Sequence, residues 1–175
     1  MVEKLDLVIE KVSTTILDTF SRDRTNYYDQ DEIRSQREEL LLKQTIKDAT
    51  KKRTKVYRLY DKSAKKTIGL IALSTSRLDD KPALLIDYIF IANVYRKKSD
   101  NFSFARLLIS YAFDKGLILQ EEVGLSNLIL YPDGEHLNLI KYYKKTYGFQ
   151  EIREKVLVQN KAKNEKWMYL PLKER

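Results

Sequence analysis

The sequence has no cysteine, a single histidine, and only five glycines and three prolines among its 175 residues. Without thiols there is no disulfide scaffold, no thiolate zinc site and no cysteine nucleophile. One histidine excludes a histidine-based metal cluster. So little glycine and proline excludes a loop-dominated fold. Long apolar runs are missing as well. Nothing approaches the roughly 18 apolar residues of a membrane span. The first segment, MVEKLDLVIEKV, carries acids inside its apolar pattern, unlike the uninterrupted run of a signal peptide. The expectation is a cytoplasmic chain that works without a metal and does not engage a membrane.

What is present is a chain 43 % apolar and 33 % charged, in which 33 Lys and Arg outnumber 25 Asp and Glu for a formal net charge of +8. Length and composition fit one globular domain over residues 1–175 with a sizeable core. The surplus positive charge favours an anionic partner without naming it.

Periodicity gives the elements. Leu5, Leu7 and Ile9 alternate with polar or smaller residues, a half-buried strand, and Thr15–Phe20 suits a helical turn. Asp29–Thr50 reads as a long polar helix capped by Asp29 or Asp31, with an apolar stripe of Ile33, Leu40, Leu41, Ile46 and Ala49. Three β-branched or aromatic runs follow as strands, Lys55–Tyr60, Thr67–Thr75 and Ala83–Ala92, the first two joined by a hairpin at Asp61–Lys66. Phe104, Leu107, Leu108, Tyr111 and Ala112 mark an amphipathic helix expected to stop at Gly116. Leu125–Tyr131 is a strand. A helix from about Glu135 to Thr146 places His136, Ile140, Tyr143 and Tyr147 on one face and ends at Gly148. Phe149–Val158 and Lys166–Leu172 complete the chain as strands.

Two motifs within this order carry a resemblance. IDYIFIANVYRKKSDNFSFARLLISYA combines an apolar strand, a basic loop and a Leu-rich helix. LILYPDGEHLNLIKYYKKTYGFQEI combines a strand with a tyrosine helix ending in Gly-Phe. Together they resemble the GNAT N-acetyltransferase superfamily over roughly Val56 to Leu172. The resemblance implies an α/β (α+β) GNAT acyltransferase fold, a mixed central sheet of about seven strands flanked by helices. It also implies an enzyme that moves an acetyl group from acetyl-CoA to a primary amine by direct attack, the amine belonging to a small molecule, peptide or protein.

The family's residues carry over position by position. Ile89, Phe90 and Ile91 stand where a strand pairs with pantetheine and presents a backbone N–H to the thioester oxygen. Ser103, Phe104, Ala105 and Arg106 stand at the phosphate-binding helix N-terminus. Ser103 and Ala105 replace the usual glycines, a loss only where φ must be positive. Arg96, Lys97 and Lys98 are placed to pair with the phosphates of CoA. Tyr143 is the expected proton donor to the leaving thiolate, although it lies five residues before Gly148 where the family more often has four; Tyr142 is the competing alignment. Asp87, an acid inside the run LLIDYIFIA, is the expected acceptor of the amine proton, suited to that work if burial raises its pKa. A strand-end acid that is hydrogen-bonded or solvated is the plainer reading. His136 stands where the family often has Asn and is read as structural. Asp133 and Glu135 are candidates for binding a cationic substrate.

Ten basic residues lie between Lys43 and Lys66 against two acids, Asp48 and Asp61. Lys141, Lys144 and Lys145 form a second cluster, and Lys161, Lys163 and Lys166 a third. Such runs are ordinarily solvated faces, but they also fit RNA phosphates. The branch of the superfamily that acetylates aminoacyl-tRNA, a group of toxins, is similar in length and basic character. It is the alternative function, and it implies that expression arrests growth and that tRNA binding weakens steeply with salt. A catalytically degenerate acyl-CoA or nucleic-acid binding protein is the other alternative. A homodimer is a further expectation from the family.

Overall fold

The computed structural model describes residues 5–17, 32–96, 103–132, 137–152 and 167–173. Seven strands form one sheet in the order β1-β2-β3-β4-β5-β7-β6. They are β1 Leu7–Lys11, β2 Lys55–Asp61, β3 Lys66–Leu78, β4 Lys81–Ile91, β5 Asn127–Leu130, β6 Gln150–Glu151 and β7 Met168–Pro171. Helices among the described residues include α1 Glu32–Thr50, α2 Phe104–Val123 and α3 Leu137–Tyr147. Residue contacts resolve into two compact units, Met1–Leu73 with Tyr88–Tyr111, and Ser74–Asp87 with Ala112–Arg175.

In the first unit, β1 pairs antiparallel with β2 (Leu7↔Asp61 to Lys11↔Tyr57) and β2 antiparallel with β3 (Lys55↔Leu73 to Asp61↔Lys66). The β2–β3 hairpin is fixed by Asp61. Its Oδ1 accepts from the Ser63 N–H at 2.9 Å, the Ser63 hydroxyl at 2.6 Å and the Ala64 N–H at 3.3 Å. The Ser63 hydroxyl bond leads in holding the Asp61 carboxyl below its ordinary value, against the opposing effect of burial. One face of the sheet packs Val56, Leu70, Ala72, Tyr88 and Phe90 against Leu42, Ile46 and Ala49 of α1. The buried stripe of α1 is therefore Leu42, Thr45, Ile46 and Ala49, whereas Leu40 and Leu41 face solvent. Three consecutive leucines leave the helical phase undetermined by local pattern, and the structure uses the third. The Ile33 side chain, the caps Asp29 and Asp31, and residues 18–20 of the expected helical turn lie outside the described residues, while 14–17 are helical.

In the second unit, β4 pairs parallel with β5 over Ala83↔Asn127 to Ile86↔Leu130, and β5 pairs antiparallel with β7. Helix α2 does not stop at Gly116. It continues to Val123, and the residue in the left-handed region is Gly124, at φ 72°. Gly116 has a different reason to be glycine: a Cβ there would lie 2.7 Å from Leu172 Cδ2. The Gln120 side chain also donates to the Leu172 carbonyl at 2.8 Å, so the helix is held against the end of β7. Leu78, Ala83, Leu85, Ile129 and Trp167 form a buried cluster on one face of this part of the sheet. Of the strand expected over Phe149–Val158, β6 is the described part, and 153–160 lie outside the described residues.

Candidate functional site

The cofactor-side residues belong to the first unit. β4 ends at Ile91, the Ala92 N–H donates to the Ile68 carbonyl at 2.8 Å, and a short turn, Asn93–Tyr95, follows. Gly69 on β3 permits this arrangement, since a Cβ there would meet the Phe90 carbonyl oxygen at 2.5 Å and Ile91 Cδ1 at 2.7 Å. Phe90 is buried in the α1-side cluster, and Ile89 and Ile91 are half-buried. Across the segment 97–102, which lies outside the described residues together with Lys97 and Lys98, the Tyr95 ring meets the Phe104 ring edge-on at 5.7 Å. That contact sets the start of α2 against the end of β4. Ser103 stands one residue before α2, and its carbonyl accepts from the Arg106 N–H at 3.0 Å. Phe104 is buried, Ala105 half-buried and Arg106 exposed. The first turn of α2 holds no acid, so nothing there neutralises the positive end of its dipole. None of the residues 103–106 has a positive φ. Serine and alanine in place of glycines thus impose no backbone strain at those positions.

Arg96, expected to pair with the phosphates of CoA, is engaged within the first unit. Its Nε donates to the Ile91 carbonyl at 2.6 Å, and a terminal nitrogen pairs with Glu38 Oε1 at 2.8 Å, with the two side chains 18 % and 15 % exposed. The guanidinium also lies 5.1 Å from the centre of the Phe90 ring. These contacts tie the loop back onto β4 and α1. Glu38, 58 residues away in sequence, gave no local signal of this pairing.

The tyrosine side belongs to the second unit. Ile140, Tyr143 and Tyr147 are buried on α3, whereas Tyr142 is exposed and shares a hydroxyl–hydroxyl hydrogen bond of 3.1 Å with Tyr147. Tyr143 sits among the rings of Tyr142, Tyr147 and Phe149 at 5.7, 6.0 and 5.9 Å. Burial foremost, then the neighbouring Tyr142, pushes its hydroxyl up to about 12. The unusual Tyr-to-Gly spacing is absorbed at the helix end. Gly148 turns at φ 82°, its N–H reaching the Lys144 carbonyl at 3.1 Å, and the Phe149 N–H reaches the Tyr143 carbonyl at 3.3 Å.

Asp87 lies one residue beyond Ile86, the last β4 residue in register with β5, and is exposed, not buried. His136, Asp133 and Glu135 lie outside the described residues. A cavity of about 690 Å³ opens at the other end of these strands, where Lys81 and Asn127 begin β4 and β5. Its Lys144–Glu151 and Tyr169–Gln150 walls are paired with each other at 2.9 and 2.8 Å, and it contains none of the residues expected to do chemistry. Among the described residues no group of acids and histidines is arranged to hold a metal ion. No described helix is long and apolar enough to cross a membrane.

A parallel β4–β5 pair followed by a helix ending in Tyr-Gly-Phe, within this strand order, defines the GNAT acyltransferase fold. The solved structures it resembles are particular ones. A structure described as AtaTR bound with acetyl-CoA matches with a TM-score of 0.68 at 16 % identity, over 95 % of this chain and 94 % of that one. AtaT complexed with acetyl-methionyl-tRNA matches at 0.66 and 14 % identity, over 95 % of both chains. A KacTA–DNA complex matches at 0.65 and 15 %, over 95 % and 94 %. No family model and no curated sequence matches the chain.

Proposed function

We propose that residues 1–175 act as one acetyl-CoA-dependent N-acetyltransferase whose acceptor is the amino group of an aminoacyl-tRNA. The observation that carries the reading is that β4 outruns its parallel partner. The β5 register ends at Ile86↔Leu130, and β4 continues to Ile91 before turning into the acid-free N-terminus of α2. A strand that continues past its neighbour can accept an extended amide-bearing arm through its main chain, and a helix N-terminus beside it suits a pyrophosphate. Acetyl-CoA has both features in one molecule. Ile89–Ile91 would take the pantetheine arm and Ser103–Arg106 the phosphates.

When bound, acetyl-CoA supplies the acyl thioester. The amine nitrogen attacks its carbonyl carbon, the C–S bond breaks, the sulfur leaves with the electron pair and becomes protonated, and the ammonium proton passes to water. A phenol at about 12 is a hydrogen-bond donor to that sulfur rather than a full acid. Complete transfer to a thiolate with the ordinary thiol value of about 8.5 would be uphill by about 5 kcal/mol. In the role the resemblance gives it, Tyr143 would serve a developing thiolate as a hydrogen-bond donor while remaining a phenol.

The tRNA acceptor is favoured over a free small amine by two features. The similarity to AtaT with acetyl-methionyl-tRNA spans nearly all of both chains, and the chain carries an excess of eight positive charges. Calorimetry with acetyl-CoA and with CoA tests the cofactor assignment. Binding of both is expected, and binding of neither overturns the enzyme reading.

A further inference from the structure

Helix α3 carries Tyr142, Tyr143 and Tyr147, and the proposed reaction uses only Tyr143. At about 100° of turn per residue, Tyr143 projects between the directions taken by Tyr142 and Tyr147. Helical side chains lean toward the N-terminus, so Tyr147 reaches back toward Tyr143 from the following turn. Residues five apart do not ordinarily meet on a helix. The Tyr142 and Tyr147 hydroxyls nevertheless share a hydrogen bond of 3.1 Å. That bond closes a bracket across the sector into which Tyr143 projects. The Tyr142 ring stands edge-on to Tyr143 at 5.7 Å and to Tyr147 at 5.6 Å, and the Tyr143 and Tyr147 rings lie 6.0 Å apart. Phe149, fully buried, stands edge-on to Tyr143 at 5.9 Å and to Tyr147 at 6.4 Å. Tyr142 is 38 % exposed and Tyr147 7 %, so the bracket joins a surface ring to a buried one.

We propose that the Tyr142–Tyr147 hydroxyl pair is a positioning element that holds the Tyr143 ring in the orientation from which its phenol serves the leaving sulfur. A phenol donates only within hydrogen-bond distance and angle of its acceptor. The χ2 torsion of an aromatic ring is broad, and ring–ring contacts tolerate a wide range of offsets and tilts. Packing alone therefore does not fix a hydroxyl to hydrogen-bond precision. Tying Tyr142 to Tyr147 removes the independent motion of two rings that bound Tyr143. The main chain braces the same corner, where the Gly148 N–H reaches the Lys144 carbonyl and the Phe149 N–H the Tyr143 carbonyl. The purpose of the bracket rests on the acetyltransferase reading; its geometry does not.

Tyr142→Phe and Tyr147→Phe each remove one hydroxyl and keep the ring. Either should lower kcat about fivefold, the worth of one net hydrogen bond, with KM for acetyl-CoA and for the amine unchanged. The double variant should match the single ones, because all three lose the same bond. Ring motion supplies a readout that needs no substrate. In the full chain labelled with 3-fluorotyrosine, the signals lost in Tyr143→Phe identify the Tyr143 ring. A clamped ring shows two fluorine resonances, one for each edge, and in Tyr142→Phe these should merge as the ring flips freely. Full turnover in both single variants, a loss confined to KM, or additive losses in the double variant overturns the positioning role. So does a single averaged resonance in the wild type, or an unmerged pair in Tyr142→Phe. If the wild-type chain transfers no acetyl group, the acetyltransferase reading falls, and the fluorine signals still decide whether Tyr142 and Tyr147 hold the Tyr143 ring.

Discussion

Tyr143 keeps its proton across the whole neutral range because burial, and then Tyr142, pushes its hydroxyl up to about 12. Tyr143→Phe retains the ring contacts with Tyr147 and Phe149 and removes the donor. It should lower kcat about a hundredfold and leave acetyl-CoA affinity and thermal stability close to wild type. A variant with full turnover would remove Tyr143 from the mechanism. The pH dependence follows from the same shift. The phenol has a higher value folded than the ordinary 10.0 of the unfolded chain, so the folded state holds a proton that the unfolded state loses between pH 10 and about 12. Its favourable contribution is complete below pH 10 and is lost as pH rises through about 12, and kcat should show no alkaline limb from this residue below pH 10. A limb near pH 8.5 that vanishes in Tyr143→Phe would contradict this. Arg96 is separable by its readout. Arg96→Ala breaks a mostly buried pair with Glu38 and should cost about 2 kcal/mol of stability; as a phosphate ligand it would instead cost acetyl-CoA affinity at unchanged stability. The inward direction of Tyr143 was legible in the sequence, because Ile140, Tyr143 and Tyr147 repeat at helical spacing. The inward turn of Arg96 was not, because its partner lies on another helix far along the chain.

At the scale of elements, glycines separate what pattern can and cannot disclose. Gly148 reads correctly as a helix end, since the apolar period stops there. Gly116 reads the same way and is not one: the period of α2 runs through it, and its constraint comes from Leu172, a contact that no local window contains. Gly69 is likewise silent in sequence. Gly69→Ala would drive a Cβ into the Phe90 carbonyl at 2.5 Å, a backbone atom that cannot swing aside, and should cost about 3 kcal/mol or prevent folding. Gly124→Ala meets open space but holds φ 72°, and should cost only about 1 kcal/mol. Chemical denaturation that ranks Gly124→Ala as the more damaging would show that the β3–β4 contact is misplaced. Apart from the strand expected over Phe149–Val158, most of which lies outside the described residues, strand existence was legible from alternation and from β-branched and aromatic content. The lengths of β3 and β4 were not, because the strands come within two residues of each other across a turn at Asp79, φ 51°.

For the whole molecule, the surplus charge divides. Lys47, Lys51, Lys52, Arg53 and Lys55 are exposed around the junction of α1 and β2, and Lys62, Lys65 and Lys66 are exposed at the hairpin. The seven residues of β2 separate the two groups by roughly 20 Å. What reads in sequence as one basic run is therefore two patches, and Arg58 between them is taken up by Glu10. At the left-handed positions of both patches, φ 58° and 53°, stand Lys52 and Lys65 rather than glycine. If the α1–β2 patch meets tRNA phosphates, replacing Lys51, Lys52 and Arg53 by Glu should reduce the slope of log affinity for tRNA against log salt by about 2 and leave transfer to a small amine unchanged. An unchanged slope would assign the patch to solvent. The central claim is tested most directly by incubating the full chain with acetyl-CoA and charged tRNA, then measuring released CoA together with N-acetylated aminoacyl ester by mass spectrometry. Equal amounts of both products, formed about a hundredfold more slowly by Tyr143→Phe, are the expected result. Intact acetyl-CoA and unmodified aminoacyl-tRNA in the presence of folded protein would contradict the account.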